Sequence, residues 1–189
     1  MSILHIPKLF TSSHEGWDAF SETRPSPLRL FVVLALPCSL IPPLMLEYAG
    51  HHVGAAMFPD TPGMAWSMAA FFFLLAEWLT VPFMGWAIAS IARSKGIATD
   101  QHDAFALAAV APIPLWLSSL VLFHDQILLI MAGLVVGLAA SVILIFRGVQ
   151  NILKVREELV AIDVAYTVTA LGLVAWVTLV MLGLLPVLA

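Results

Sequence analysis

Charged residues are scarce in this sequence. Asp, Glu, Lys and Arg make up 11% of its 189 residues, whereas hydrophobic residues make up 61%. A water-soluble domain carries about 25% charged residues, so this composition excludes an ordinary soluble protein and indicates an integral membrane protein. Basic residues number only eight and the formal net charge is -4, so nucleic acid is not an expected partner.

Cysteine is almost absent as well. The one cysteine, Cys38, excludes an intramolecular disulfide. The sequence also lacks a nucleophile paired with a general base, a phosphate-binding glycine loop and a dinucleotide fingerprint. We therefore predict that the protein is not an enzyme and needs no cofactor, apart from the metal site considered below. The first apolar run begins near Leu28 without a signal-peptide pattern, so span 1 is expected to act as the insertion signal.

Five long apolar runs predict a bundle of transmembrane helices. The runs are continuously apolar rather than alternating, which favours helices over a closed barrel. About 20 helical residues cross a hydrocarbon core of about 30 Å. The predicted fold class is an all-α integral membrane protein with one domain over residues 28–189. Its spans are predicted at about 28–48, 64–92, 104–123, 127–146 and 164–185.

The basic residues predict the orientation of the bundle. They flank the start of span 1 and follow spans 2 and 4, so five spans place all of them on one side. The positive-inside rule identifies that side as the cytoplasm, which puts the N-terminus inside and the C-terminus outside. The basic residues are Lys8, Arg24, Arg29, Arg93, Lys95, Arg147, Lys154 and Arg156.

Residues 1–27 form a polar segment with scattered apolar residues. Ser12 and Glu15 have the spacing of a capping box, and Trp17 and Phe20 would share one face of the helix that follows. We predict an interfacial helix on the cytoplasmic surface. The alternative is a flexible tail whose aromatic residues only touch the bilayer.

Two prolines interrupt span 3 about halfway through the bilayer. Pro112 and Pro114 have no N–H group, so the carbonyls of Ala108 and Val110 lose their usual donors. This leaves unpaired acceptors at membrane depth. The alternative is a structural kink whose carbonyls are satisfied by neighbouring helices.

Glu77 lies near the midpoint of span 2, and no Lys or Arg lies at that depth. Because an ionised carboxylate is unfavourable there, we expect the neutral acid, which can donate to the carbonyls freed in span 3. The role is either a structural hydrogen bond or a proton-titrating site in a transport path. The predicted intramembrane polar site comprises Glu77, Pro112, Pro114, Ser118 and Ser119.

Span 4 carries small residues at intervals of four, namely Gly133, Gly137 and Ser141. Such a stripe lets another helix approach closely and gain packing contacts. We predict a helix-packing face here. The pattern does not specify whether the partner helix belongs to the same chain.

A metal site is a further hypothesis for the outer side. Glu47 and His51 are four residues apart, His52 is adjacent, and His124 lies in another outer loop. Histidine and carboxylate ligands suit zinc or a similar divalent ion. The alternative is ordinary loop polarity.

The hairpin of spans 3 and 4 resembles a known family. The run FALAAVAPIPLWL at 105–117, a short turn, and residues 128–158 ending in FRGVQNILKVREE are similar to the bacterial branch of the Yip (Ypt/Rab-interacting protein) family. Leu9 and Phe10, followed by Glu15 and Trp17, resemble its cytoplasmic lead-in. The resemblance implies five spans, a cytoplasmic N-terminus and a bacterial inner membrane.

The resemblance also bears on function. Eukaryotic Yip proteins bind prenylated Rab-type GTPases, associate with one another and act in vesicle traffic, but the tail here is much shorter, so GTPase binding is not expected. We predict an inner-membrane protein that acts by homo-oligomerisation or as an adaptor, with lipid and other membrane proteins as partners. The alternatives are a small-solute or ion transporter or channel that uses Glu77 and the broken span 3, and metal binding on the outer face. A water-filled cavity at Glu77 would favour transport, and a dry, fully packed bundle would favour assembly.

Overall fold

The computed structural model describes residues 26–188, which are almost entirely helical and contain no strand. Within these described residues, five helices are long and apolar enough to cross a membrane, which confirms the predicted all-α membrane fold. The predicted interfacial helix at Trp17 and Phe20 lies outside the described residues. The five are span 1, Pro27–Gly50; span 2, Gly63–Ser94; span 3, Gln101–Phe123; span 4, Ile127–Asn151; and span 5, Glu158–Leu188.

Spans 4 and 5 extend beyond their apolar cores. The sequence predicted a connection over residues 147–163, but the helices leave only residues 152–157 between them. Arg147 and Asp163 therefore lie on helices. Hydropathy marks where the apolar run ends, whereas Arg, Glu and Asp do not by themselves terminate a helix.

Span 1 continues through its prolines as a series of short helical segments. It consists of Pro27–Leu30, a π-helical turn Phe31–Ala35, and the segments Leu36–Ser39 and Ile41–Gly50. Pro37 and Pro42 each occupy the first turn of the segment that they begin. A missing N–H is tolerated best in the first turn of a helical segment, where the first donors have no partner within that segment. The short helix Val53–Met57 follows in the connection to span 2.

Span 3 is broken where the prolines predict. The helix Gln101–Val110 ends at Ala111, a second helix runs from Ile113–Ser118, and a 3-10 turn covers Ser119–Phe123. The first part packs chiefly on span 2, whereas the part beyond the break packs mainly on spans 1 and 4. The two halves of span 3 thus have different neighbours.

All described basic residues lie at the same end of the alternating spans, which we call the basic end. A dense apolar core fills the bundle near this end, and an ion pair between Lys95 and Asp163 joins spans 2 and 5 there. A second, smaller cluster of Trp66, Ala69 and Val187 lies near the opposite end. The assignment of the basic end to the cytoplasm stays a prediction from charge. The fully buried residues of the dense core include Ile88, Leu107, Leu144, Val149 and Val164.

Candidate functional site

A cavity of about 380 Å³ that is partly open to the surroundings lies between the helices, and all five spans contribute to its wall. The lining runs from Phe73 to Ile88 along span 2, which is about 22 Å of helix axis. This volume lies in the range of small-molecule sites. Most of the wall is apolar. Its polar and indole side chains are Glu77, Thr80, Trp116, Ser118, Ser119, Ser141, Thr169 and Trp176.

The break in span 3 accounts for the cavity. Ala111 and Pro112 line it, and beyond them span 3 turns toward spans 1 and 4. Spans 2 and 5 pack closely on each other, so a space remains between them and the outer half of span 3. Pro112 and Pro114 thus shape the site through the backbone rather than by offering polar side chains.

Glu77 is buried in this site, with 4% of its surface exposed. The indole of Trp116 on span 3 lies beside the Glu77 carboxyl, where its N–H is placed to donate to a carboxyl oxygen. The carboxyl therefore does meet span 3, but through Trp116, whereas the sequence suggested the carbonyls of Ala108 and Val110. The second oxygen, Oε2, is buried without a hydrogen-bond partner among residues 26–188.

Two hydroxyl groups of the cavity are, like Glu77 Oε2, buried without a hydrogen-bond partner. Ser141 Oγ on span 4 and Thr169 Oγ1 on span 5 are buried and have no partner within the described part of the chain. Both residues line the same cavity. Unpaired polar atoms are unfavourable inside a membrane protein, and a native structure rarely retains them without a role. Spans 2, 4 and 5 thus each present one unpaired oxygen-bearing group to this space.

The remaining hydroxyls of the cavity are bonded to their own helices. Ser118 Oγ donates to the carbonyl of Leu115 at 2.7 Å, and Ser119 Oγ donates to the carbonyl of Trp116 at 2.6 Å. Thr80 Oγ1 donates to the carbonyl of Ala76 at 2.7 Å. These three side chains have already used their proton, so they can offer a ligand only an acceptor lone pair.

The small-residue stripe of span 4 packs against span 3 of the same chain. A Cβ added to Gly133 would lie 2.4 Å from Val121 Cγ1, and one added to Gly137 would lie 2.5 Å from Ser118 Cβ. The third member, Ser141, lies at the cavity. The close approach that the stripe permits is therefore used inside the chain, and it holds the outer half of span 3 away from spans 2 and 5.

The residues of the hypothetical metal site only partly come together. His51 Nε2 lies 3.6 Å from Glu47 Oε1, which also accepts a hydrogen bond from Ser67 at 3.0 Å. The His52 ring instead stacks on Tyr48, and its Nδ1 lies 2.8 Å from the Tyr48 carbonyl. Within residues 26–188 no three His, Cys, Asp or Glu side chains converge enough to hold a metal ion, with His124 included. The geometry adds no support to the metal hypothesis.

Of the eight polar and indole residues of the cavity, sequence reasoning missed four, namely Trp116, Trp176, Thr80 and Thr169. Thr80 lies three residues after Glu77 and so on the same helix face, a spacing that could have identified it. Trp116 follows Pro112 by four residues. Thr169 and Trp176 carry no such signal, because their proximity to Glu77 depends on the packing of span 5 against span 2.

In the comparison with protein families, the model of the Yip1 domain matches residues 8–179. The matched range extends from before span 1 into span 5 and so includes the whole cavity-forming break in span 3. Comparison with curated proteins and with solved structures gives no match.

Proposed function

This chain belongs to the Yip1-domain family, and we propose that it is a multi-pass protein of the bacterial inner membrane that binds a small solute at Glu77 and moves it across the bilayer. The cavity is the observation that carries this proposal. It reaches the buried carboxyl of Glu77 near the middle of span 2, which supports transport over assembly of a fully packed bundle.

The unpaired polar atoms support a binding role. A bundle that served only as a scaffold would be expected to fill this volume with side chains and to pair its polar groups. Here Glu77, Ser141 and Thr169 keep buried oxygen atoms unpaired at a cavity with apolar walls. Such an arrangement suits a ligand that brings one polar group and a larger apolar surface.

Transport requires access to Glu77 from both membrane faces in turn. In the present conformation the dense core closes the basic end, because Leu107, Leu144 and Val164 are fully buried beyond the cavity. A second conformation must open this layer. Span 3 can bend at Ala111 and Pro112, since its two prolines supply no N–H to hold the two helical parts in line.

Cysteine accessibility tests the proposal without knowledge of the solute. In a chain carrying Cys38→Ser, we expect Ser141→Cys and Thr169→Cys to react with a membrane-impermeant maleimide added to either face of reconstituted vesicles. The reagent needs a thiolate and hence water. Ala139→Cys is the matched control, because Ala139 is exposed on the lipid-facing side of span 4 and should stay unmodified. Cavity cysteines as inert as the control would rule out solute passage.

Association is a second candidate function, supported by the loop between spans 4 and 5. Ile152, Leu153 and Val155 are buried, while Lys154 and Arg156 between and after them are exposed. Lys154 has a φ of 55°, a left-handed backbone that few side chains adopt. The loop therefore holds its charges in a defined position at the basic end, which suits contact with another membrane protein or a second copy.

Charge reversal in this loop tests association. We expect Arg156→Glu to reduce self-association, measured as energy transfer between labelled copies in liposomes at low salt, and added salt to have a similar effect. Arg93→Glu is the control, because Arg93 is also exposed at the basic end but lies outside the loop. A protein that is monomeric at every density would exclude homo-oligomerisation through this surface.

A further inference from the structure

We propose that the cavity selects a monovalent organic cation, namely an ammonium group carried on an apolar body. This inference rests on the proposed solute-binding function and names the class of solute. It is drawn from the charge of the lining, the oxygen atoms left unpaired and the shape of the space.

The charge of the lining excludes an anionic ligand. Among the described residues that line the cavity, Glu77 is the one side chain that can carry a charge. Spans 1, 3, 4 and 5 present only apolar, hydroxyl and indole groups to it. An anion would lose its hydration without gaining a Lys, Arg or His partner, and the one ionisable side chain it would meet can become negative but not positive. A cation would gain a counter-ion in a medium where that attraction is strong.

The unpaired atoms are acceptors of the kind that an ammonium group needs. Glu77 Oε2, Ser141 Oγ and Thr169 Oγ1 are oxygen acceptors from three different spans. A primary ammonium has three N–H donors and no acceptor. The rings of Trp116 and Trp176 also line the cavity and can stabilise a cation through their faces.

A bare metal ion fits the same space poorly. Hard cations require about six oxygen ligands to replace their water, whereas the walls here are mostly aliphatic. The described residues contain no group of three metal-ligating acids, histidines or cysteines. A cavity of about 380 Å³ instead accommodates an organic body that covers the apolar wall while its charged end reaches Glu77.

Binding of a cation is linked to loss of a proton. The cation pairs with the ionised carboxylate, so a proton leaves Glu77 for the water as the cation enters, and the site stays neutral. Proton and cation then compete for the same group, and the apparent affinity for the cation falls as the pH is lowered. No other titratable side chain among the described lining residues contributes to this dependence.

Three ligands with one shared body test the inference. We propose to measure the binding of 4-phenylbutylamine, 4-phenylbutanol and 4-phenylbutyrate, with charges of about +1, 0 and -1 at neutral pH, to the purified full-length protein in nanodiscs. Protein-free nanodiscs correct for partitioning into lipid. We expect the amine to bind at least about tenfold more tightly than the alcohol, the acid not to bind, and only the amine to weaken from pH 8.5 to pH 6.

Variants assign the effect to the carboxyl. Glu77→Gln should reduce amine binding to the level of the alcohol, whereas Glu77→Asp, which keeps the charge, should retain the preference for the amine. Asp125→Asn is the control, because it removes an exposed carboxylate outside the cavity. Gel filtration of each variant establishes that it is folded.

The outcomes separate this inference from the function on which it rests. Equal binding of amine and alcohol, or amine binding that survives Glu77→Gln, overturns the cation class while solute binding stands. Absence of binding by all three compounds, together with cavity cysteines that do not react with maleimide, overturns both.

Discussion

Replacing Gly137 by alanine should destabilise the bundle by about 1–3 kcal/mol, although alanine is the better helix former. The added Cβ would lie 2.5 Å from Ser118 Cβ and 3.0 Å from the carbonyl oxygen of Pro114. Neither atom belongs to the flexible end of a side chain, so the clash can be relieved only by moving span 3 away from span 4. Since the same contact holds span 3 away from spans 2 and 5, the cavity should narrow as well.

Two other glycines provide matched controls for this substitution. Gly172 in span 5 has Met84 Cε as its nearest neighbour at 3.9 Å, so Gly172→Ala should be neutral or stabilising by up to about 1 kcal/mol. Gly133 would place its Cβ 2.4 Å from a methyl group of Val121, which can move by rotation of the side chain. The stability of Gly133→Ala should therefore lie between those of Gly137→Ala and Gly172→Ala.

Thermal unfolding in detergent, followed as the loss of the monodisperse gel-filtration peak, measures this order. We expect the midpoint of Gly137→Ala to fall below that of the wild-type protein by several degrees, and that of Gly172→Ala to remain the same or rise. If the two variants unfolded at the same temperature, the stripe would not be packed against span 3 as the structure has it.

The fold could be predicted from the sequence where it depends on local properties, but not where it depends on tertiary packing. The number and type of spans were predictable, because a run of about 20 apolar residues is a local property that the bilayer thickness selects. The ends of spans 4 and 5 were not, since Arg147 and Asp163 continue their helices beyond the apolar run. The stripe at Gly133 and Gly137 was recognisable, but its partner, span 3 of the same chain, depends on tertiary packing.

The candidate site was likewise predictable in part. The break in span 3 was predictable because Pro112 and Pro114 lack an N–H group whatever surrounds them. That Glu77 faces this span was also inferred from the sequence, since a lone intramembrane carboxyl needs a polar neighbour. Its donor, Trp116, and the unpaired hydroxyl of Thr169 were not predictable, because they depend on how the redirected half of span 3 and span 5 are placed around the cavity.

Replacing Glu77 by leucine should raise the stability of the protein by about 1 kcal/mol while it removes binding of the amine. Leucine removes a buried carboxyl oxygen that has no partner and fills part of a cavity with apolar walls. Leaving such a group buried costs about 1–3 kcal/mol. The substitution also leaves the Trp116 indole without a partner, which destabilises the protein by a similar free energy. The added apolar contacts of leucine make the net change stabilising.

The sign of this change separates the two roles open to Glu77. A carboxyl retained as a structural hydrogen bond to Trp116 would make Glu77→Leu destabilising by about 1–3 kcal/mol. A carboxyl retained for a ligand is expected to lower the stability of the ligand-free protein, as is common where stability and function compete. Thermal midpoints with and without 4-phenylbutylamine distinguish them, since the ligand should raise the midpoint of the wild-type protein but not that of the leucine variant.

A double-mutant cycle with Trp116→Phe isolates the hydrogen bond between the two residues. With Glu77 present, Trp116→Phe should destabilise the protein, because the carboxyl then loses its one side-chain donor. With leucine at position 77 the same substitution should be neutral or stabilising, since the indole N–H no longer has an acceptor to lose. The difference between the two effects is the coupling energy, for which we expect about 1–2 kcal/mol. A coupling near zero together with a destabilising Glu77→Leu would mean that neither the pairing with Trp116 nor the ligand role explains why a carboxyl lies at this depth.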